Sequence, residues 1–140
     1  MSAAVDSRRR LDRAAAFFLA GFVVHNVDHV RRTLDGITDH VVWAGTGVAM
    51  LSAVTLTLIV TRHRLGPLVA AGAGLYIAVG VSATHLLPTW GPMSDSLPNG
   101  DVDPFTWIAV LFEIVGAIVL GIVGWSTYRA QQSRVSVAVR

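Results

Sequence analysis

The sequence predicts an all-α membrane protein: an antiparallel bundle of four transmembrane helices forming one domain over residues 1–140. Three observations predict it. The chain contains apolar runs of bilayer-spanning length, its arginines are distributed one-sidedly about those runs, and all but one of the connections are short. Of the 140 residues, 53% are hydrophobic and 14% charged, against about 25% charged in a soluble domain. Mean hydropathy is +0.57.

The first apolar run, residues 14–24, covers about half of the roughly 20 residues a span requires. It crosses only when the polar stretch 25–34 is included, so the first helix is expected at about 13–34. The runs 41–61, 65–87 and 105–128 are each long enough alone, with the last helix expected at about 105–127. Arg62-His63-Arg64 reads as a tight turn, and Gly66-Pro67 opens the third helix, where proline is tolerated in the first turn. The loop 88–104 is rich in Pro, Gly, Asn and Asp and reads as irregular. It carries Asp95, Asp101 and Asp103, whose most economical reading is a solvated acidic face.

Orientation follows from arginine. With four spans, Arg8, Arg9, Arg10, Arg13, Arg62, Arg64, Arg129, Arg134 and Arg140 share one side, and only Arg31 and Arg32 lie opposite. The positive-inside rule then puts both termini in the cytoplasm. If the first run did not span, the bias would vanish. A cleavable signal peptide fits poorly, because no small-x-small pattern follows the first run. The arginine cluster is more simply a lipid-headgroup anchor. Lysine is absent and all 11 basic residues are arginine, a codon signature of a GC-rich bacterium, so the expected location is a bacterial inner membrane. The basic residues flank the spans instead of forming a soluble surface, which excludes a nucleic-acid partner. The absence of cysteine excludes disulfides, thiolate metal sites and cysteine nucleophiles.

Small residues that repeat every four positions let membrane helices approach closely. Ala70, Gly74, Ala78 and Ser82 do so on the third helix, Gly45, Ala49 and Ala53 on the second, and Ala109, Glu113, Ala117 and Gly121 on the fourth. Glu113, the chain's single glutamate, falls within its row, and His85 lies above the third helix's row.

The strongest functional signal is His25-Asn26-Val27-Asp28-His29. Steps of three and four residues place His25, Asp28 and His29 on one helix face. Imidazoles and a carboxylate on a membrane helix normally face a protein interior or a watery cavity. From helical rise, His25 and Glu113 lie roughly 12–14 Å below the outer surface, Asp28 and His29 roughly 7–9 Å, and His85 roughly 3 Å, with His40 at the lip of the second helix. Imidazole and carboxylate ligands suit Zn, Fe, Mn or Cu. The expected ligands are His25, His29, His85 and Glu113, and Asp28, His40 and Arg32 form a surrounding polar network. A haem held by His29 and His85 is a second version. A structural cluster, with Asp28 paired to Arg32 and Arg31 to Asp35, is the plain alternative. A proton or substrate pathway is another, and four short helices would then act as a homo-oligomer. An accessory subunit of a larger membrane complex is a further alternative. No nucleophile with an evident base appears, so no reaction follows.

Four segments carry a resemblance: His25-Asn26-x-Asp28-His29-x-Arg31-Arg32, Arg62-His63-Arg64-Leu65-x-Pro67-Leu68, His85-Leu86-Leu87-Pro88-x-Trp90 and Ser94-Asp95-Ser96. Together they resemble small uncharacterised four-helix integral membrane proteins of actinobacteria. The resemblance covers nearly the whole chain. It implies the architecture and a bacterial origin, and it implies no activity.

Overall fold

The computed structural model describes residues 3–32 and 37–138, with side chains described over 5–32 and 37–133. The described chain forms four helices, α1 (Ala3–Arg31), α2 (Asp39–Val60), α3 (Gly66–His85) and α4 (Pro104–Ala138), and no strand. Leu34, Asp35 and Arg140 lie outside the described residues, as does the side chain of Arg134, so the expected Arg31–Asp35 pair falls there too.

Three helices are long and apolar enough to cross a membrane: α2, α3 and the Pro104–Ser133 part of α4, with mean hydropathies of 1.7, 1.6 and 2.4. α1 is not among them, because its short apolar run is bounded by arginines on one side and the polar motif on the other.

Two helix limits differ from expectation by ten residues or more. α1 begins at Ala3 rather than near 13, and α4 continues to Ala138 rather than ending near 127. Residues 3–12 contain no Gly or Pro to interrupt a helix. They are also held by the rest of the fold: Leu11 is buried, the Thr127 hydroxyl donates to the Ser7 carbonyl at 3.4 Å, and Arg62 Nη1 contacts both Asp12 oxygens at 2.7 and 2.8 Å. Residues 128–138 likewise hold no breaker.

α4 is the central helix, with α1 and α3 against it; α2 leans on α3 and barely meets α1. α1 buries Leu11, Ala14, Ala15, Phe18, Gly21, His25 and Asp28, steps of mostly three and four that draw one stripe along the helix. Backbones touch where glycine allows it. A Cβ on Gly21 would lie 2.8 Å from the Phe112 carbonyl oxygen, and one on Gly116 2.9 Å from Phe18 Cα. On the other side of α4, a Cβ on Gly74 would lie 2.5 Å from Ala117 O. The rows expected on α3 and α4 therefore line helix contacts, with Ala70, Ala78, Ala109 and Ala117 buried.

The row expected on α2 does not. Gly45 and Ala53 are exposed, and a Cβ on Gly45 meets nothing within 4 Å. α2 turns a different face inward, burying Val41, Ser52, Thr55 and Ile59, and it makes little contact with α1.

The α2–α3 turn is a Schellman closure. The His63 N–H reaches the Leu58 carbonyl at 2.9 Å and the Arg62 N–H reaches that of Ile59 at 3.1 Å. Arg62 occupies the left-handed position with φ 60°, where glycine is usual, and its side chain pairs with Asp12 of α1. At the opposite end the loop 88–104 folds back onto α3. The Asp95 N–H donates to Thr84 O at 3.0 Å and the Leu97 N–H to His85 O at 2.9 Å, satisfying carbonyls the helix end leaves open. Leu97 is buried beneath the loop.

A candidate histidine site at one end of the bundle

His25 and His29 come from the last two turns of α1, His85 from the last residue of α3, and Glu113 from the third turn of α4. Ring centroids lie 4.6 Å apart for His25–His29, 4.8 Å for His25–His85 and 5.6 Å for His29–His85. One nitrogen from each ring falls within 4.8 Å of the others, close enough for the three to hold a metal ion.

His85 was expected near the surface, well above His25, yet the two rings are neighbours. α3 ends at His85 rather than Leu87, so helix ends are not level.

Each histidine is oriented by a partner. His25 Nδ1 donates to Glu113 Oε2, with both residues almost wholly buried. This leaves His25 Nε2 buried without a hydrogen-bond partner among the described residues, which is costly for a polar atom unless something occupies it. His85 Nδ1 donates to the Asp95 carbonyl at 3.1 Å, and the Asp95 carboxylate lies 3.4 Å away. An imidazole that gives Nδ1–H to a carboxylate or carbonyl is the usual arrangement of a metal-ligating histidine. His29 differs. Arg32 Nη2 approaches its Nδ1 at 3.2 Å, and a guanidinium can only donate. For His29 to offer Nε2 to a cation, its proton must move to Nδ1 and Arg32 must turn to the acids beside it.

Those acids are in place. Arg32 lies 3.3 Å from Asp28 Oδ2 and 3.0 Å from Asp95 Oδ2. Arg31 lies 2.7 Å from Asp28 Oδ1 and 2.7 Å from Asp103 Oδ2. Asp28, fully buried, therefore sits between two guanidiniums and is not among the groups whose ligand atoms converge. Asp95, on the loop, is held well below the usual carboxylate range, first by the His85 hydrogen bond and then by Arg32. Asp103 is lowered as well, chiefly because it accepts the Thr106 N–H at 3.0 Å as the cap of α4, and also by Arg31.

Of the residues singled out in the sequence, His25, His29, His85 and Glu113 come together, with Glu113 behind His25 rather than beside the open nitrogens. His40 is exposed at the start of α2 and shares no hydrogen bond or ion pair with the cluster among the described residues. Asp95 was read only as part of an acidic loop. Its role depends on the loop folding back, for which no local sequence signal exists.

The cluster forms the floor of a crevice of about 400 Å³ between α1, α2 and α3. Phe22, Val48 and Val81 are among its walls, and the exposed Val42, Gly45 and Tyr76 are at its mouth.

Compared with protein-family models, curated proteins and solved structures, the chain finds no match.

Proposed function

We propose that this chain is a bacterial inner-membrane protein whose four antiparallel helices all span, with both termini cytoplasmic, and that it binds a transition metal ion through His25, His29 and His85. The antiparallel reading is supported by contacts that run in opposite residue order. Gly124 meets Ala71 while Gly74 meets Ala117 and Gly121, and Gly116 meets Phe18 while Gly21 meets Phe112. The spanning of α1 is supported by its burial against α4 along an apolar stripe and by the arginine asymmetry.

One observation carries the metal reading: the unpartnered, buried Nε2 of His25, whose opposite nitrogen is tied to the buried carboxylate of Glu113. A buried carboxylate needs a positive partner. A metal on Nε2 supplies that charge, and Glu113 raises the imidazole's basicity in return. A tetrahedral ion with metal–nitrogen bonds of about 2.0 Å holds its nitrogens about 3.3 Å apart. The farthest pair here, at no more than 4.8 Å, would close by up to roughly 1.5 Å. Three imidazoles suit Zn, Cu or Fe, and the crevice leaves a fourth position open, as in catalytic rather than structural sites. A haem between His29 and His85 has less support, because His25 stands within 4.8 Å of both rings where the macrocycle would lie.

The second reading is a proton site, with His25 protonated against Glu113. It is favoured by the same contact. Transport across the bundle has little support. Away from the cluster the buried polar residues are hydroxyls: Ser52 and Thr55 donate to carbonyls of their own helix, and Thr127 donates to Ser7 O. No buried titratable residue lies beyond Glu113 among the described residues.

Elemental analysis of the purified protein tests the reading. Roughly one equivalent of Zn, Fe, Mn or Cu is expected in the wild type, and none in His25→Ala/His29→Ala. No metal in either protein, after reconstitution with the same ions, would overturn the metal reading in favour of a proton site or a structural polar cluster.

A further inference from the structure

The arginines at the other end of the bundle take no part in the histidine site, and the fold gathers them at one level. The Thr127 hydroxyl of α4 donates to the Ser7 carbonyl of α1, and Arg62 of the α2–α3 turn contacts both Asp12 oxygens. Helical rise from Ser7 to Asp12 and from Thr127 to Arg129 then keeps Arg8, Arg62 and Arg129 within roughly 10 Å of one another along the bundle. At the same level α4 presents the exposed Trp125, its ring 5.8 Å from that of Tyr128. Tryptophan and tyrosine mark the membrane–water interface, so these arginines stand at the depth of the lipid phosphates once the helices span.

Their charge is not met by the protein. Arg8, Arg9, Arg10, Arg13, Arg64 and Arg129 have no ion-pair partner among the described residues. The acids at this end among the described residues are Asp6 and Asp12, and Asp12 is already engaged by Arg62. Part of the excess surrounds a cleft lined by Arg8 and Leu11 of α1, Arg62 and His63 of the turn, Pro67 of α3 and Gln131 of α4. Its volume, about 10 Å³, is that of one water, so an occupant inserts a single polar atom and rests on the rim. The rim is rich in donors. Besides the two guanidiniums it has His63, whose Nδ1 accepts the Leu65 N–H at 3.2 Å, so that Nε2 carries the proton.

We propose that this cleft binds the phosphodiester of an anionic phospholipid of the phosphatidylglycerol class, with one phosphate oxygen in the cleft and Arg8, Arg62 and His63 around the head. Guanidinium matches phosphate geometry and charge. A phosphatidylcholine head brings its own cation, which the arginines repel, so the site selects by net charge. The exposed Val60 and Leu68, just inside the turn, offer apolar contact to the chains, which a free phosphate lacks. Arg8 belongs to α1 and Arg62 and His63 to the α2–α3 turn. The lipid therefore ties α1 to a hairpin against which it otherwise packs little. The proposal rests on the spanning reading and is independent of the metal.

Native mass spectrometry of the full chain in detergent tests it, with phosphatidylglycerol or phosphatidylcholine of identical chains added. Phosphatidylglycerol is expected to bind at least about tenfold tighter. Arg8→Gln should weaken it about fivefold. Arg10→Gln should leave it unchanged, because Arg10 is exposed on the same helix and does not line the cleft. Sodium phosphate in excess should not displace the lipid. Equal binding of the two lipids would overturn the proposal. So would equal losses in Arg8→Gln and Arg10→Gln, which would mean a diffuse field of charge in place of a site. Displacement by phosphate would assign the cleft to a free anion and overturn the lipid. Release of the chain from vesicles by alkaline carbonate would overturn the spanning reading together with the proposal, whereas retention without lipid preference overturns the proposal alone.

Discussion

The two sides of this bundle use glycine in opposite ways. Along α4, helices meet backbone to backbone, and a Cβ added to Gly74, Gly21 or Gly116 would come within 2.5, 2.8 or 2.9 Å of a neighbouring helix. In the first half of α2 and at two positions of α3 the same residue faces open space: a Cβ on Gly45, Gly47, Gly72 or Gly80 meets nothing within 4 Å, whereas beside the α2–α3 turn one on Gly66 would lie 2.9 Å from Leu58 O. The difference teaches that a small residue on an apolar helix has no fixed meaning. It creates a seam where a second helix occupies the space and a crevice where none does. The rigid seam holds His25, Asp28 and Glu113 in register between α1 and α4. The other side leaves the crevice that ends at the three histidines.

Substitutions can break this contrast. The largest effect is expected for Gly74→Ala, whose new methyl would lie 2.5 Å from both Ala117 O and Gly121 N. Helix backbones must separate to admit it, at a cost of about 2–3 kcal/mol, read as a lowered Tm in detergent. A Tm equal to wild type would mean that the α3–α4 seam is not tight.

Next is Glu113→Gln, which keeps the side-chain shape and removes the charge behind His25. Metal affinity should fall roughly 10–100-fold, or about 1.4–2.7 kcal/mol, by competition titration with a zinc chelator. Unchanged affinity would remove Glu113 from any part in binding.

A smaller effect, of opposite sign, is expected on the loose side. Gly72→Ala and Gly80→Ala introduce no clash and add helix propensity, so stability should stay level or rise by up to about 1 kcal/mol. A loss comparable to that of Gly74→Ala would erase the distinction between the two sides.

The smallest effect is local and pH-dependent. Asp103 caps α4 and has a lowered pKa. Its folded value lies below its unfolded one, so its contribution is present above the usual carboxylate range and is lost as pH falls through the lowered value. Amide exchange at Thr106 should therefore accelerate, beyond the intrinsic trend, as pH drops below about 4. In Asp103→Asn, whose amide still caps, protection should not change with pH. An identical pH response in both proteins would place the transition elsewhere.

Much of the site was legible in advance, for local reasons. Helical phase alone put His25, Asp28 and His29 on one face, and the four-residue row on α4 carried Glu113 inward with Ala109 and Ala117. The depth of His85 was not legible, since it depended on where α3 ends relative to the other helices. The pairing of Arg31 with Asp103 was missed because Asp103 is 72 positions away and arrives by way of a loop. The similar rows on α2 and α3 had different outcomes, and nothing in either row distinguished them.

By itself the sequence determined what depends on composition and on neighbours three or four residues apart. That covers four helices in order, three of them apolar enough for a bilayer, and a histidine-carboxylate face at the end of the first. The tertiary structure alone decided which helix faces meet, that Asp95 returns over His85, that Glu113 lies behind His25, and that α2 stands off to leave a crevice. Helix formation is driven by bonds within a segment. Helix rotation and spacing are set by the fit between segments, where a difference of one Cβ decides whether two backbones touch or leave room for a ligand.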